Sequence, residues 1–106
     1  MNSRRSINKK RIVFRVIGNE QVGMGHIYRS LALARELSDH EILFVTDIDS
    51  RVVVESAINE YYWLGVYAAS EVTNQIKLLH PEVVIYDALD TSRRDVEELR
   101  RVGSVV

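Results

Sequence analysis

A histidine at the start of a predicted helix is the residue best placed to do chemistry. His26 follows two closely spaced glycines, Gly23 and Gly25, which come after a β-branched segment, 11–17. Glycine has no Cβ, so a ligand can approach the backbone closely there. The first N–H groups of a helix lack internal partners and lie at the positive end of its dipole, so they favour phosphate, carboxylate or a developing oxyanion. The segment therefore predicts an anion site beside a titratable group.

His26 has two candidate roles. The positive helix end disfavours imidazolium, and a neutral imidazole could act as a general base toward water or a hydroxyl. Alternatively, the ring caps the helix and hydrogen-bonds a backbone carbonyl. Arg29 lies three residues later on the same predicted face, where it could hold phosphate or carboxylate, or pair with a nearby acid.

Acidic residues follow two further predicted strands. Asp87 could bind a sugar hydroxyl, and Asp90 could cap the next helix. Asp47 and Asp49 could hold Mg²⁺ or cap a helix, and capping needs fewer assumptions. The three histidines of the chain are dispersed without zinc-ligand spacing, so we predict no metal site.

The two glycines match the known phosphate-binding signatures only in part. The dinucleotide fingerprint G-x-G-x-x-G requires glycine where Tyr28 stands, and residues 18–22 separate the glycines from the strand. Asp47 lies where a ribose-binding acid could stand, so a dinucleotide site stays open as an alternative. No Gly-Lys-Ser/Thr sequence is present, which argues against the phosphate loop of a nucleoside triphosphatase.

Hydrophobic periodicity predicts the elements that position these residues. Strands are predicted over 11–17, 41–46, 61–67, 82–86 and 104–106. Helices are predicted over 25–38, from Asp49 or Ser50 to 59, over 70–79, and from Thr91 or Ser92 to 102. This alternation predicts an α/β fold in three layers, with a parallel sheet of about five strands and right-handed crossovers. Ligands of such folds bind beyond the carboxyl ends of the strands, where the polar loops collect.

Composition is that of an ordinary globular domain, with 106 residues, 46% of them hydrophobic and 27% charged. The first eleven residues carry five basic side chains and no acidic one, and we expect 1–10 to be a flexible basic tail rather than a nucleic-acid site. The sequence has no cysteine, secretory leader or membrane span, which predicts a cytoplasmic protein. The short fifth strand suggests that 11–106 is one domain of a longer protein, and its uncovered edge could pair with a second copy.

The segment 15–37 resembles the amino-terminal half of a nucleotide-sugar enzyme family. Its centre is Val-Gly-Met-Gly-His-Ile-Tyr-Arg-Ser-Leu-Ala-Leu-Ala-Arg-Glu-Leu. The family comprises spore coat polysaccharide biosynthesis proteins and the UDP-sugar hydrolases of pseudaminic acid synthesis. A more distant resemblance is to the transferase that adds N-acetylglucosamine to lipid I. The segment 81–92 is similar to the family's fourth strand and following loop, and similar domains are fused to acylneuraminate cytidylyltransferases.

The resemblance implies a glycosyltransferase-B architecture, in which two Rossmann-like domains face each other across the active site. A carboxyl-terminal domain, beyond this sequence, would supply most nucleotide contacts. His26 would activate water or an acceptor hydroxyl without a metal or cofactor, Gly23 and Gly25 match the loop glycines, and Arg29 matches the helix arginine. The hydrolases commonly have an acidic residue where Ile17 stands, so hydrolase and transferase both stay open.

Two alternatives from another class remain. The segment 81–87 resembles a strand that ends in a phosphoacceptor aspartate, so the chain could be a receiver-like module of flavodoxin-like fold with Asp87 as acceptor. Glu20 supplies only one of the two acids that a receiver needs after its first strand. The chain could also be a non-catalytic half that only binds other chains.

Overall fold

The computed structural model describes residues 9–18, 25–58, 61–87, 97, 100 and 103–105, and these form an α/β sheet fold. The strands are β1 (Arg11–Val16), β2 (Glu41–Asp47), β3 (Trp63–Tyr67), β4 (Val83–Asp87) and β5 (Ser104–Val105). Three α-helices have described bounds: α1 (Gly25–Glu36), α2 (Arg51–Ile58) and α3 (Val72–Leu78). Turns of 3₁₀ helix, Ile48–Ser50 and Ala69–Glu71, lead into α2 and α3. Glu97 and Arg100 are helical, within the segment where the sequence predicts a further helix.

The described strands form one parallel sheet in the order β3-β2-β1-β4-β5. This confirms the predicted α/β fold and its parallel sheet. β1 is central, and the chain changes direction across the sheet between β1 and β4, which makes their carboxyl ends the switch point. The order is that of a Rossmann-type sheet rather than the 2-1-3-4-5 order of flavodoxin-like proteins. The flavodoxin-like topology of the receiver alternative is therefore wrong.

Helices cover both faces of the sheet, which confirms the three layers. On one face, α1 and α2 pack against Phe14 and Phe44, whose rings stack with centroids 5.0 Å apart. On the other face, α3 packs its buried Val72 and Ile76 against Val13 and two neighbouring valines. Because β1 and β2 are covered on both faces, they are apolar along most of their length rather than alternating.

Several predicted boundaries differ from the structure by one or two residues, and two of these differences have a specific cause. The predicted cap of the second helix was Asp49 or Ser50, but the structure places a 3₁₀ turn before this helix, and Asp47 caps the turn: its Oδ1 accepts a hydrogen bond from the Ser50 backbone N–H at 2.9 Å. β3 begins at Trp63 rather than at Tyr61, whose side chain is 84% exposed. Aromatic residues have a high strand propensity even where no neighbouring strand pairs with them. The prediction, which rested on residue type, therefore began the strand two residues too early.

Several predictions fall outside the described residues. These are residues 1–8 of the predicted tail, Gly23, Asp90 and the helix cap at Thr91 or Ser92. Lys9 and Lys10, which complete the tail, are exposed. Within the described ranges, no helix has the length and apolar character that crossing a membrane would require.

Candidate functional site

The candidate site lies at the switch point, where β1 and β4 end side by side. Val16, the last residue of β1, is the register partner of Asp87, the last residue of β4. The loop that leaves β1 leads into the 12-residue helix α1, whose first two residues are Gly25 and His26. α1 returns over the sheet from this edge, since its Ile27 packs next to Gly18 just beyond β1. The structure thus brings the backbones of His26 and Asp87 to the same edge of the sheet, as predicted.

Gly18 and Gly25 flank the loop and have opposite surroundings. A Cβ added to Gly18 would lie 2.4 Å from Cδ1 of Ile27 and 3.0 Å from Cγ1 of Val53, so this glycine permits close packing of α1 and α2. A Cβ added to Gly25 would meet nothing within 4 Å. The start of α1 is therefore open, as the predicted anion site requires, and packing does not demand glycine there.

Arg29 occupies the same helix, one turn beyond Gly25, and its side chain is exposed. It takes part in a polar or charged interaction within the chain. Two roles were predicted for Arg29, anion binding and pairing with an acid, and an exposed side chain is compatible with both. Gly23 lies outside the described residues, so its predicted role beside Gly25 stays a prediction.

A buried ion pair next to the site was not predicted from the sequence. Arg15 is only 7% exposed although it lies in the central strand. Its Nη2 donates to Oδ2 of Asp47 at 3.2 Å, and its Nη1 donates to the carbonyl oxygen of Val16 at 2.8 Å. Its Nε–H is buried and has no hydrogen-bond partner in the described part of the chain. The available signal was an arginine within an otherwise apolar strand, Ile-Val-Phe-Arg-Val, since a charge buried in that position must be paired.

Asp47 and its neighbour Thr46 connect this ion pair to the ends of two strands. Both carboxylate oxygens of Asp47 are engaged, one by Arg15 and the other by the Ser50 backbone N–H. The Thr46 hydroxyl donates to the carbonyl oxygen of Val16 at 2.8 Å. Of the roles left open for Asp47, capping therefore fits, and the adjacent guanidinium disfavours a divalent cation. Across the described ranges, no group of three or more His, Cys, Asp or Glu side chains could hold a metal ion.

A second polar network lies at the opposite, amino-terminal edge of the sheet. Arg11 Nε donates to Oε1 of Glu41 at 2.8 Å, and Arg11 Nη1 donates to the carbonyl oxygen of Leu79. The hydrogen bond from Arg11 and its positive charge lower the pKa of the Glu41 carboxyl from its ordinary value. At the same edge, Nδ1 of His40 accepts a hydrogen bond from the Lys10 backbone N–H. These contacts join β1 to β2 and to the end of α3, away from His26.

A cleft of about 410 Å³ opens between the carboxyl-terminal halves of α1 and α2. Its lining residues are Leu31, Arg35, Ala57, Ile58, Tyr61 and Tyr62. Both helices run back from the switch point, so this cleft lies toward the amino-terminal edge. The described residues that line it include none of the predicted site residues.

Comparison with known proteins yields one informative similarity. No family model matches the chain, and no solved structure matches it. The chain is similar to an uncharacterized protein of Methanocaldococcus jannaschii, with 32% identity over 88 residues, which are 80% of this chain and 18% of that protein. The chain thus spans less than a fifth of the length of the curated relative it matches.

Proposed function

We propose that this chain is the amino-terminal domain of a nucleotide-sugar hydrolase or glycosyltransferase of surface polysaccharide or sialic-acid-like sugar biosynthesis. The observation that carries the proposal is the position of Gly25 and His26 at the open start of α1, beside the carboxyl end of the central strand. In Rossmann-type sheets, this edge is where ligands bind. The resemblance of 15–37 to the spore coat and pseudaminic-acid enzymes supports the same substrate class.

In the proposed reaction, His26 removes a proton from water or from an acceptor hydroxyl. The resulting oxygen nucleophile attacks the anomeric carbon of the sugar. The bond between that carbon and the diphosphate oxygen breaks, and the nucleoside diphosphate leaves with the bonding electron pair. The first N–H groups of α1, which have no partner within the helix, stabilise negative charge near the sugar together with Arg29. Asp87 accepts a hydrogen bond from a sugar hydroxyl.

The proposal includes a second α/β domain that closes the cleft and supplies most nucleotide contacts. This chain then forms one wall of the active site and has no turnover by itself. The reaction takes place in the cytoplasm and uses no metal or cofactor. The edge of β5 is the proposed contact between two copies, because among the described strands β5 pairs on one side only, with β4, and an unpaired edge presents free backbone groups.

Substitution of His26 tests the proposal directly. In the protein expressed from its complete reading frame, His26→Ala should lower turnover of a UDP-sugar by roughly 10²–10⁴-fold, as loss of a general base does. Release of nucleoside diphosphate measures this. The matched control is His80→Asn, since His80 is exposed, lies outside the site and has φ of 53°, which asparagine tolerates. Near-normal turnover in His26→Ala would overturn the proposal.

Asp87 offers a second test that separates binding from chemistry. Asp87→Asn keeps the shape of the side chain but weakens a hydrogen bond from a sugar hydroxyl, so KM should rise while kcat changes little. A large loss of kcat at unchanged KM would contradict a binding role. Formation of a stable beryllofluoride adduct at Asp87 would instead revive a phosphoacceptor role.

A further inference from the structure

We propose that Arg15, Thr46 and Asp47 are positioning residues, which fix the point where the chain leaves β1 and so the placement of α1, whose second residue is His26. This inference rests on the proposed function of His26. None of the three side chains needs to touch the substrate. Their effect on the reaction would pass through the backbone of Val16.

The carbonyl oxygen of Val16 is the centre of the arrangement. It accepts one hydrogen bond from Arg15 Nη1 and another from the Thr46 hydroxyl, each at 2.8 Å. The peptide that joins Val16 to Ile17 is planar, so two donors that hold its oxygen also fix the orientation of its N–H and of the following Cα. Val16 ends β1, and Gly18, two residues later, lies against Ile27 of α1.

The geometry of the Arg15–Asp47 ion pair orients the guanidinium toward the Val16 carbonyl oxygen and does not give the strongest contact between the two charged groups. An arginine and a carboxylate in the closest geometry form two parallel hydrogen bonds. Here Asp47 offers Arg15 only Oδ2, because Oδ1 caps the 3₁₀ turn at Ser50, and Arg15 Nε is left without a partner. A pair of apolar side chains would avoid this buried unsatisfied donor. Conformational specificity is a recognised reason for keeping a buried ion pair of this kind.

The same three residues also connect the two loops that border the candidate site. Asp47 holds the turn after β2, while Arg15 and Thr46 hold the end of β1. Thr46 is fully buried and lies on the strand beside Val16. A shift of either strand end would therefore be transmitted to the other loop, and with it to the start of α1.

Substitution of Thr46 gives a matched pair of variants. Thr46→Val has the same shape but lacks the hydroxyl, whereas Thr46→Ser keeps it. In the protein from the complete reading frame, we expect Thr46→Val to lower kcat by about 10–100-fold with KM nearly unchanged, because small misplacements of a catalytic group have effects of this size. Thr46→Ser should retain most of kcat. Thr46→Ala, which also lacks the hydroxyl but places no methyl group against the Val16 carbonyl oxygen, should lower kcat in the same way and tests the inference if Thr46→Val does not fold.

A double-mutant cycle separates positioning from a general loss of structure. If Thr46 acts through His26, then Thr46→Val should have no further effect on kcat in the His26→Ala background. Equal effects of Thr46→Val in both backgrounds would overturn the inference. If Thr46→Val folds and has a normal kcat while His26→Ala is inactive, the positioning role is overturned and the proposed function stands. Full activity of His26→Ala would overturn the proposed function and this inference together.

Discussion

Arg15 in the central strand and Asp47 in its neighbour form an ion pair, with Nη2 and Oδ2 3.2 Å apart and both side chains about nine-tenths buried. The two residues are 32 positions apart in the sequence, so the pair exists only once β1 and β2 are aligned. The buried charge of Arg15 is tolerated because the alignment of β1 with β2 also brings the Asp47 carboxylate into contact with it. The stability of this edge therefore depends on both residues being present.

Removal of Arg15 alone should be strongly destabilising. Arg15→Met leaves the Asp47 carboxylate buried without its partner, and the free energy of unfolding should fall by about 3–5 kcal/mol. Asp47→Asn should have an effect of the same kind, since it leaves the guanidinium unpaired. The double variant Arg15→Met/Asp47→Asn should lose clearly less than the sum of the two single losses. Urea unfolding of the four proteins measures this coupling, and additive losses would mean that the ion pair contributes nothing.

The two glycines that flank the loop should respond oppositely to alanine. Gly18→Ala places a methyl group against Ile27 and Val53, and overpacking of this kind costs about 1–3 kcal/mol. Gly25→Ala meets open space at the start of α1, and stability should stay constant or rise by less than about 1 kcal/mol. If a ligand approaches the backbone at Gly25, the same substitution should weaken binding of a nucleotide sugar. Unchanged affinity in a stable Gly25→Ala protein would remove the anion site from this position.

The Arg11–Glu41 pair should contribute a pH-dependent part of the stability. The pKa of Glu41 is lowered in the folded chain, chiefly by its hydrogen bond with Arg11, so its ionised form stabilises the fold above the unfolded-state pKa. That contribution is lost as the pH falls through the lowered folded-state pKa. We expect Glu41→Gln to be less stable than the parent at neutral pH and equal to it at acid pH.

Urea midpoints along an acid titration check this expectation. Because the two side chains are 38% and 40% exposed, the difference should be small and should shrink in high salt. Glu55→Gln, which breaks an exposed pair with Arg51 on α2, is the matched control. A difference between the parent and Glu41→Gln that persists at acid pH would contradict the assignment.

The short strand β5 can be tested through Gly103, the residue just before it. A Cβ at Gly103 would lie 2.5 Å from the carbonyl oxygen of Pro81 and 2.8 Å from that of Glu82, and backbone atoms cannot move aside as a flexible side chain can. Gly103→Ala should therefore lower the free energy of unfolding by about 1–3 kcal/mol. It should also speed hydrogen exchange at β5, whose Ser104 is the register partner of Val83. Unchanged stability and exchange would argue that β5 does not pair with β4.

The alternation of strands and helices could be predicted because it depends on local patterns. In the first helix, Ile27, Leu31 and Ala34 recur at helical spacing, and all three are buried. The position of His26 at the start of α1 followed from the glycines before it in the same way. These features are set by residues that are close together in the sequence.

Features that depend on distant residues could not be predicted in this way. Asp47 was considered as a cap or a metal ligand, but its pairing with Arg15 required knowledge of which strands are neighbours. The change of direction between β1 and β4 was also not specified by the pattern, since the same alternation of elements is compatible with both common strand orders. The 3₁₀ turn at Ile48–Ser50 moved the cap two positions back because Asp47 sits at the strand end and holds the Ser50 N–H.

Arginines occur at both ends of β1, and they differ in their surroundings. Arg11 forms a partly exposed ion pair with Glu41 at the amino-terminal edge of the sheet. Arg15 forms a buried ion pair with Asp47 near the carboxyl-terminal edge. Four residues of extended chain separate their backbones by roughly 13 Å, a distance at which substitutions usually have additive effects. Substitutions that strengthen the contacts of Arg11 should therefore compensate for stability that is lost when residues at the carboxyl end of β1 are changed. The stability of the domain can in this way be secured from one end of β1 while residues at the other end are changed.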